Sequence, residues 1–313
     1  MDESNKIAQE EANAQAPDPF TPLLTSTDWN AEWIRLQDFR RMADSVEFWD
    51  KRAPSFGSKD APSPYILRFI ELMDAEPGST FLDMGCGNGG LAVPLAQAGH
   101  SVIAADFSRG MLNVLEQTVQ AKGLQDRVSP VHMSWSDDWD AHDVGENCVD
   151  YAFASRSIAT RDLEAALMKL NRAARKRCFC TLSTGASPRS DSRMLCELGL
   201  EDAIGRDWLY AFNILAVKGF EPEIAYIVSE RNDSWATYDE ALASMTRMVE
   251  SAAMPLGEDR LQQAMAKLPA WLEAELVENP EAGTVNSHGE TQCALTLRHP
   301  RQIGWAFISW NAR

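Results

Sequence analysis

A glycine-rich stretch, Gly85 to Gly90, is the part of the sequence best suited to bind a ligand. Glycines let the backbone turn sharply and approach a ligand closely, because no Cβ intervenes. The helical pattern that follows would direct free N–H groups to the same place. Two carboxylates accompany the stretch: Asp83 precedes the first glycine by two residues, and Asp106 ends the next predicted strand, where a carboxylate can bind ribose hydroxyls. This pattern fits either a nicotinamide dinucleotide or S-adenosylmethionine.

The position of Asp83 favours the second ligand. A dinucleotide would place an anionic pyrophosphate over the glycine turn, where a fixed carboxylate repels it. S-adenosylmethionine would place a sulfonium and an ammonium group there, and a carboxylate attracts both. A dinucleotide site and a tight turn without a ligand remain as alternatives.

The run from Leu82 to Gly89 (Leu-Asp-Met-Gly-Cys-Gly-Asn-Gly) resembles the cofactor loop of class I S-adenosylmethionine-dependent methyltransferases of the small-molecule type. Three other segments are similar to further parts of that family. Ala104 to Leu112 resembles its second segment, Asp150 to Ser155 its fourth strand, and Trp49 to Ala53 the aromatic-and-basic helix ahead of the loop. The resemblance covers about residues 45 to 183.

The resemblance implies a Rossmann-like fold, S-adenosylmethionine as cofactor and S-adenosylhomocysteine as product. It assigns cofactor binding to Trp49, Arg52, Asp83, Gly85, Cys86, Gly87, Asn88, Gly89, Asp106, Phe107, Met111, Trp135, Ser136, Asp137 and Ser155. In this assignment the loop and Asp83 hold the methionine part, Asp106 takes the ribose hydroxyls, and Phe107 and Met111 flank the adenine. The family often has an acidic residue where Trp135 stands, so any one of Trp135, Ser136 and Asp137 could meet the adenine.

No catalytic residue is identifiable from the sequence. Methyl transfer needs a base only when the acceptor is a poor nucleophile, so a missing base leaves the acceptor undefined without excluding activity. Arg156, Tyr210 and His288 are candidates for the substrate pocket. No cluster of residues has the spacing of metal ligands, and none of the six cysteines forms a CxxC pair, so no metal is expected.

The elements that position these residues alternate between strand and helix from Thr80 onward, which predicts an α/β fold with a doubly wound, mostly parallel sheet. We expect seven strands with an antiparallel last strand, Gly304 to Trp310, and helices that include 258–267 and 269–278. The predicted regions are a disordered tail (1–24), an N-terminal helical cap (25–76), a cofactor-binding core (77–231), a helical insertion (232–302) and the last strand of the core (303–313). The insertion and the stretch after the fifth strand should roof the pocket, because ligands bind at the carboxyl ends of parallel strands.

The composition limits the partners. The 313 residues include 29 Lys and Arg against 46 Asp and Glu, a formal net charge of −17. Such a surface repels phosphate backbones and anionic lipid, so neither a nucleic acid nor a membrane is expected as partner. With a polar, acidic N-terminus and no long apolar run, the sequence predicts a cytoplasmic enzyme of unknown oligomeric state that methylates a small molecule. The alternatives are a protein or ribosomal-component methyltransferase and a non-catalytic S-adenosylmethionine-binding protein.

Overall fold

Seven strands form one central sheet in the computed structural model, which describes residues 22–40, 45–56, 62–286 and 290–313. Three further strands, β7, β8 and β9, lie outside this sheet. In chain order all the described strands are β1 (Thr80–Met84), β2 (Ser101–Asp106), β3 (Val128–His132), β4 (Val149–Ala154), β5 (Ala174–Ser183), β6 (Glu223–Arg231), β7 (Ser234–Trp235), β8 (Leu276–Glu278), β9 (Leu295–Leu297) and β10 (Arg301–Asn311). The central sheet has the order β3-β2-β1-β4-β5-β10-β6. Because β10 pairs antiparallel with both β5 and β6 while the other neighbours pair in parallel, the predicted sheet is confirmed.

Helices cover both faces of this sheet. They are α1 (Leu23–Ser26), α2 (Trp29–Arg40), α3 (Val46–Arg52), α4 (Pro64–Met73), α5 (Ala92–Gln97), α6 (Arg109–Lys122), α7 (Leu163–Ala173), α8 (Ser192–Glu197), α9 (Trp208–Val217), α10 (Tyr238–Ala253) and α11 (Glu258–Glu275). The strand residues alternate between two cores, as the pleat requires. Leu82 and Ala152 join the core that contains Trp33 of α2, whereas Phe81 and Phe153 join the core that contains Phe69 of α4.

Residues 1–21 of the predicted tail lie outside the described part of the chain. The last residues of this tail were expected to be disordered, which is wrong, because Leu23 and Leu24 already belong to α1. The α2 helix that follows is tied to the core by Trp33, which is fully buried and donates its indole N–H to the carbonyl of Thr160 at 2.7 Å.

The C-terminal insertion is not purely helical. A second sheet of order β7-β9-β8 accompanies α10 and α11, and its strands are only two or three residues long. Strands this short carry no period-2 pattern, so sequence inspection misses them. A third hydrophobic core joins the insertion to α8 through Met194 and Leu195. The insertion therefore packs as one unit with the stretch that follows β5.

The helices expected at 258–267 and 269–278 are one continuous helix, α11, with Pro269 inside it. Proline in a helix interior removes a backbone hydrogen bond and commonly ends the helix. Here the buried residues on both sides of Pro269, Leu268 and Trp271 among them, belong to the third core. Their burial against α10 outweighs the local cost of the proline.

Candidate active site

The glycine loop connects β1 to α5 at the carboxyl edge of the sheet. Gly85, Gly87 and Gly89 all have positive φ angles, at 77°, 56° and 90°, which side-chain-bearing residues rarely adopt. The N–H groups of Gly85 and Cys86 both donate to the carbonyl of Ala105 in β2, at 2.7 and 3.0 Å. A Cβ on Gly85 would lie 2.3 Å from the Cβ of Ser157, so only glycine fits there. The loop is thereby held in one conformation.

Asp83 and Asp106 are both buried beside this loop. The Asp106 carboxylate accepts hydrogen bonds from the N–H groups of Gly87 and Ser108, both at 2.8 Å. Asp83 is only 2% exposed, and its Oδ2 has no hydrogen-bond partner among the described residues. Burial raises the pKa of Asp83 well above its ordinary value, and the nearby charge of Asp106 raises it further. Burial also raises the pKa of Asp106.

Cys86 does not provide a nucleophile in this loop. Burial, together with the charges of Asp83 and Asp106, raises the pKa of its thiol well above the ordinary value. The thiol instead points back at the loop and lies 3.4 Å from the carbonyl oxygen of Gly87. A protonated, buried thiol is a poor nucleophile, although Cys86 still lines the cavity beside the loop glycines.

The α3 helix is docked onto the N-terminus of α6 by Asp50, a residue that the sequence alone did not single out. The carboxylate of Asp50 accepts hydrogen bonds from the Ser108 hydroxyl at 2.6 Å and the Gly110 N–H at 2.8 Å. It thus satisfies N-terminal groups of α6 from another helix. These two hydrogen bonds lower the pKa of Asp50, so it remains ionised at neutral pH.

Trp49 and Arg52 of α3 face the same cavity as the glycine loop. Both contact Phe56: the ring of Trp49 meets it edge-on at 5.5 Å, and the guanidinium carbon of Arg52 lies 5.9 Å from its centre. The carbonyl of Phe56 accepts a hydrogen bond from the side-chain amide of Asn88. Helix α3 and Phe56 therefore cover the loop from one side, in the position of a lid.

Substitution of Asp50 tests this docking. We expect Asp50→Ala to increase amide hydrogen exchange severalfold in residues 45–56, because the helix loses its attachment to α6. Lys51→Ala, an exposed change on the same helix, serves as the matched control. Exchange is measured by mass spectrometry with and without S-adenosylhomocysteine. Unchanged exchange in Asp50→Ala would show that the lid is held by other contacts.

The residues expected around the adenine are only partly brought together. Met111 is buried, Phe107 is half-buried, and both line the cavity with Trp135 and Ser136. Asp137 does not line it: its carboxylate accepts a hydrogen bond from the Ser134 N–H at 2.8 Å and closes a local turn. Of the three residues left open for the adenine, Trp135 and Ser136 therefore line the cavity and Asp137 does not.

The substrate candidates have separate positions. Tyr210 lines the cavity but packs edge-on against Trp33 at 5.5 Å. His288 lies outside the described residues. Ser155 and Arg156 follow β4 and lie beside Tyr65, a residue of α4 that the sequence analysis missed. The Tyr65 hydroxyl is hydrogen bonded to Ser155 Oγ at 2.8 Å and to Thr181 Oγ1 at 2.9 Å.

An unpartnered, buried carboxylate oxygen next to a second carboxylate fits a cationic ligand, because an anion would be repelled by both. The sulfonium and ammonium groups of S-adenosylmethionine meet that requirement at Asp83, and Asp106 lies where ribose hydroxyls would be bound. Together with the sheet order, these features define a Rossmann-like methyltransferase. No group of side chains suited to hold a metal occurs in the described residues.

Comparisons with known proteins support this class. Residues 81–177 match the family model described as "Methyltransferase domain". An uncharacterized protein of Haemophilus influenzae is 33% identical over 272 residues, which cover 84% of this chain and 88% of that protein. A ubiquinone biosynthesis O-methyltransferase of Hydrogenovibrio crunogenus is 32% identical over 85 residues, covering 27% of this chain and 34% of the enzyme. A tRNA 5-carboxymethoxyuridine methyltransferase of Escherichia coli is 38% identical over 56 residues, covering 18% and 22%.

The chain belongs to the class I S-adenosylmethionine-dependent methyltransferases and is an enzyme of that family. Its cofactor is S-adenosylmethionine. The matches to the ubiquinone and tRNA enzymes cover about a third and a fifth of the lengths of those enzymes. Among the described helices, none is both long and apolar enough to span a bilayer.

Proposed function

We propose that this methyltransferase acts on a small-molecule acceptor by direct in-line transfer. The observation that carries the proposal is one cavity of about 4100 Å³ that reaches from the glycine loop to the insertion. Small-molecule sites commonly occupy roughly 300–1,000 Å³, so this cavity has room for a cofactor and an acceptor together. Its walls include α3 and Phe56 on one side and, on the other, residues 187–190 and 203–206 after β5. Residues of the insertion, such as Leu256 and Gln292, complete the lining.

The charge distribution supports a small acceptor. The densest basic run, Arg172 to Arg177, is neutralised by carboxylates instead of forming a cationic patch. Its ion pairs are Arg172–Asp140 at 2.7 Å, Arg175–Asp150 at 3.2 Å, Lys176–Glu76 at 2.5 Å and Arg177–Glu223 at 2.6 Å. A nucleic-acid interface would need such side chains free to bind phosphates.

In the proposed mechanism the chain binds, orients and excludes water. When bound, S-adenosylmethionine supplies an electrophilic methyl group and leaves as a neutral thioether. Asp83 faces the cationic end, Asp106 fixes the ribose, and the lid formed by α3 and Phe56 covers the loop. Bringing two reactants together in this way removes much of the entropic barrier.

The described residues lining the cavity include no histidine. Tyr65 does not replace one as a base, because burial raises the pKa of its hydroxyl above the ordinary value of 10.0. The acceptor therefore arrives as a competent nucleophile or gives its proton to a group other than these two, such as one of the carboxylates that line the cavity.

The proposal is tested by incubating the purified protein with S-adenosylmethionine labelled in the methyl group. Three acceptor pools are offered separately: metabolites below 3 kDa, total tRNA and total protein from the source cells. We expect label in the metabolite pool alone. Label in the tRNA or protein pool would overturn the small-molecule assignment, and no transfer in any pool, with the cofactor still bound, would favour a binding protein.

A further inference from the structure

Arg156 has an unusual backbone conformation for an arginine. It follows β4 with a φ angle of 59°, in the left-handed region that costs a residue with a Cβ roughly 1–2 kcal/mol. Its N–H group donates to Thr181 Oγ1 at 2.9 Å, which holds the backbone in place. Backbone conformations of this kind concentrate at active sites and ligand-binding sites.

The guanidinium of Arg156 is stacked on an aromatic ring. Its central carbon lies 4.3 Å from the centre of the Tyr65 ring. Tyr65 is 5% exposed, and its hydroxyl is fixed by Ser155 and Thr181. Because stacking uses only the face of the guanidinium, the N–H groups along its edge stay available to a ligand. The ring and its two hydroxyl partners thus hold the cation in one orientation.

No carboxylate of the described residues neutralises the charge of Arg156. Three other arginines that line the cavity have carboxylate partners: Arg40 pairs with Asp207, Arg161 with Asp38 and Arg231 with Asp233. Within the described ranges, Arg156 makes no ion pair with any carboxylate, although the side chain is exposed to the cavity. In a chain with a net charge of −17, a cation left without a carboxylate is suited to an anionic ligand.

Arg156 also adjoins a residue that packs on the glycine loop. The next residue, Ser157, donates its hydroxyl to the carbonyl of Met84 at 2.6 Å. The same residue lies against Gly85 so tightly that a Cβ there would clash. The segment 155–157 therefore adjoins the loop that faces the methionine end of the cofactor.

We propose that Arg156, held on Tyr65, binds an oxyanion of the methyl acceptor, so that the substrate class is an anionic small molecule. This inference rests on the proposed function. The oxyanion is a carboxylate or a phosphate of the acceptor, at or next to the methylated atom. A cation at this point stabilises the ionised form and lowers the pKa of the acceptor group.

This role accounts for a cavity whose described lining offers no histidine. Where the bound oxyanion is itself the methylated group, no proton has to be removed during transfer. A lone pair of the acceptor forms the new bond to carbon while the carbon–sulfur bond breaks, and its electron pair stays on sulfur. Arg156 thereby selects and positions the acceptor without exchanging a proton.

The first test identifies the charge of the acceptor. Metabolites below 3 kDa are passed over a quaternary-amine resin at pH 8, and the bound and unbound fractions are assayed with methyl-labelled S-adenosylmethionine. We expect acceptor activity in the bound fraction. Activity confined to the unbound fraction would overturn this inference but leave the small-molecule proposal intact. No activity in either fraction would count against the proposed function and therefore against this inference as well. Treatment with alkaline phosphatase separates phosphates from the other anions, because it should abolish acceptor activity only where the oxyanion is a phosphomonoester.

The second test uses variants of Arg156 with the active fraction. Arg156→Asn removes the charge, and asparagine tolerates the left-handed backbone, so the fold is retained. We expect its kcat/KM to fall at least tenfold, with partial rescue in Arg156→Lys and unchanged affinity for S-adenosylhomocysteine by calorimetry. Arg161→Gln, which removes an arginine already paired with Asp38, is the matched control. A kcat/KM for Arg156→Asn within twofold of the wild type would overturn the assignment.

Discussion

Replacing Asp83 by asparagine should weaken the binding of S-adenosylmethionine by roughly 10- to 100-fold, because a buried hydrogen bond to a charged group contributes about 1.5–3 kcal/mol. The same change should raise the thermal stability of the cofactor-free protein near neutral pH. In the folded protein, burial and the charge of Asp106 disfavour the ionised form of Asp83. An amide of the same shape removes that repulsion. Calorimetry and thermal unfolding measure the two effects.

The raised pKa of Asp83 also predicts a pH dependence. The folded, cofactor-free protein holds a proton on Asp83 more tightly than the unfolded chain does, so its stability increases as pH falls through the raised pKa. Binding of a cationic ligand favours the carboxylate, so binding releases protons and weakens on acidification over the same range. Titrations in buffers of different ionisation enthalpy detect the released protons, and Asp83→Asn should release fewer. Equal proton release from both proteins would contradict the assignment.

Removing the side chain of Arg301 should lower the free energy of unfolding by about 3–5 kcal/mol, the usual cost of leaving one partner of a buried ion pair alone. Only 1% of this side chain is exposed, and its Nε donates to Asp233 at 2.5 Å. The two terminal nitrogens donate to the carbonyls of Ser187 and Pro188, both at 3.3 Å. Arg301 therefore ties β10 to the start of the insertion and to the loop after β5.

Urea unfolding of Arg301→Ala measures this cost, and two controls accompany it. Gln302→Ala changes the exposed neighbour, and Arg231→Ala removes an arginine that is half-exposed and pairs with the same Asp233. Exposed pairs contribute about 0–1 kcal/mol, so both controls should change little. A loss in Arg301→Ala no larger than in Arg231→Ala would show that the buried pair does not hold these segments together.

Much of the cofactor site could be predicted from the sequence, because its determinants are local. The turn at Gly85 to Gly89 needs residues without side chains, and the strands around it are short apolar runs separated by helical patterns. Asp83 and Asp106 each lie at the end of such a run, so the rule for parallel sheets places them together. The seven-stranded sheet and the cofactor follow from these features, and both are confirmed.

The insertion shows where local patterns fail. Pro269 predicts a helix boundary by its own chemistry, but burial of its neighbours in the third core keeps α11 continuous. The strands β7, β8 and β9 are formed by pairing between segments about 20 to 60 residues apart in the chain. The hydrophobic periodicity of a sequence records only neighbouring residues and cannot show such pairing. Likewise, the carboxylate of Asp50 caps α6 across 58 residues, a contact that no local pattern records.

By itself, the sequence determined which ligand the glycine loop suits, because the loop, Asp83 and Asp106 act through their own geometry and charge. Only the tertiary structure decided the state of Arg156, whose residue type shows neither that it lacks a carboxylate partner nor that Tyr65 supports it. The Ser155 hydroxyl that helps to hold Tyr65 is 90 positions away from it in the chain. Whether a charge is neutralised depends on what folding brings within a few ångströms of it, and that is a property of the packed chain.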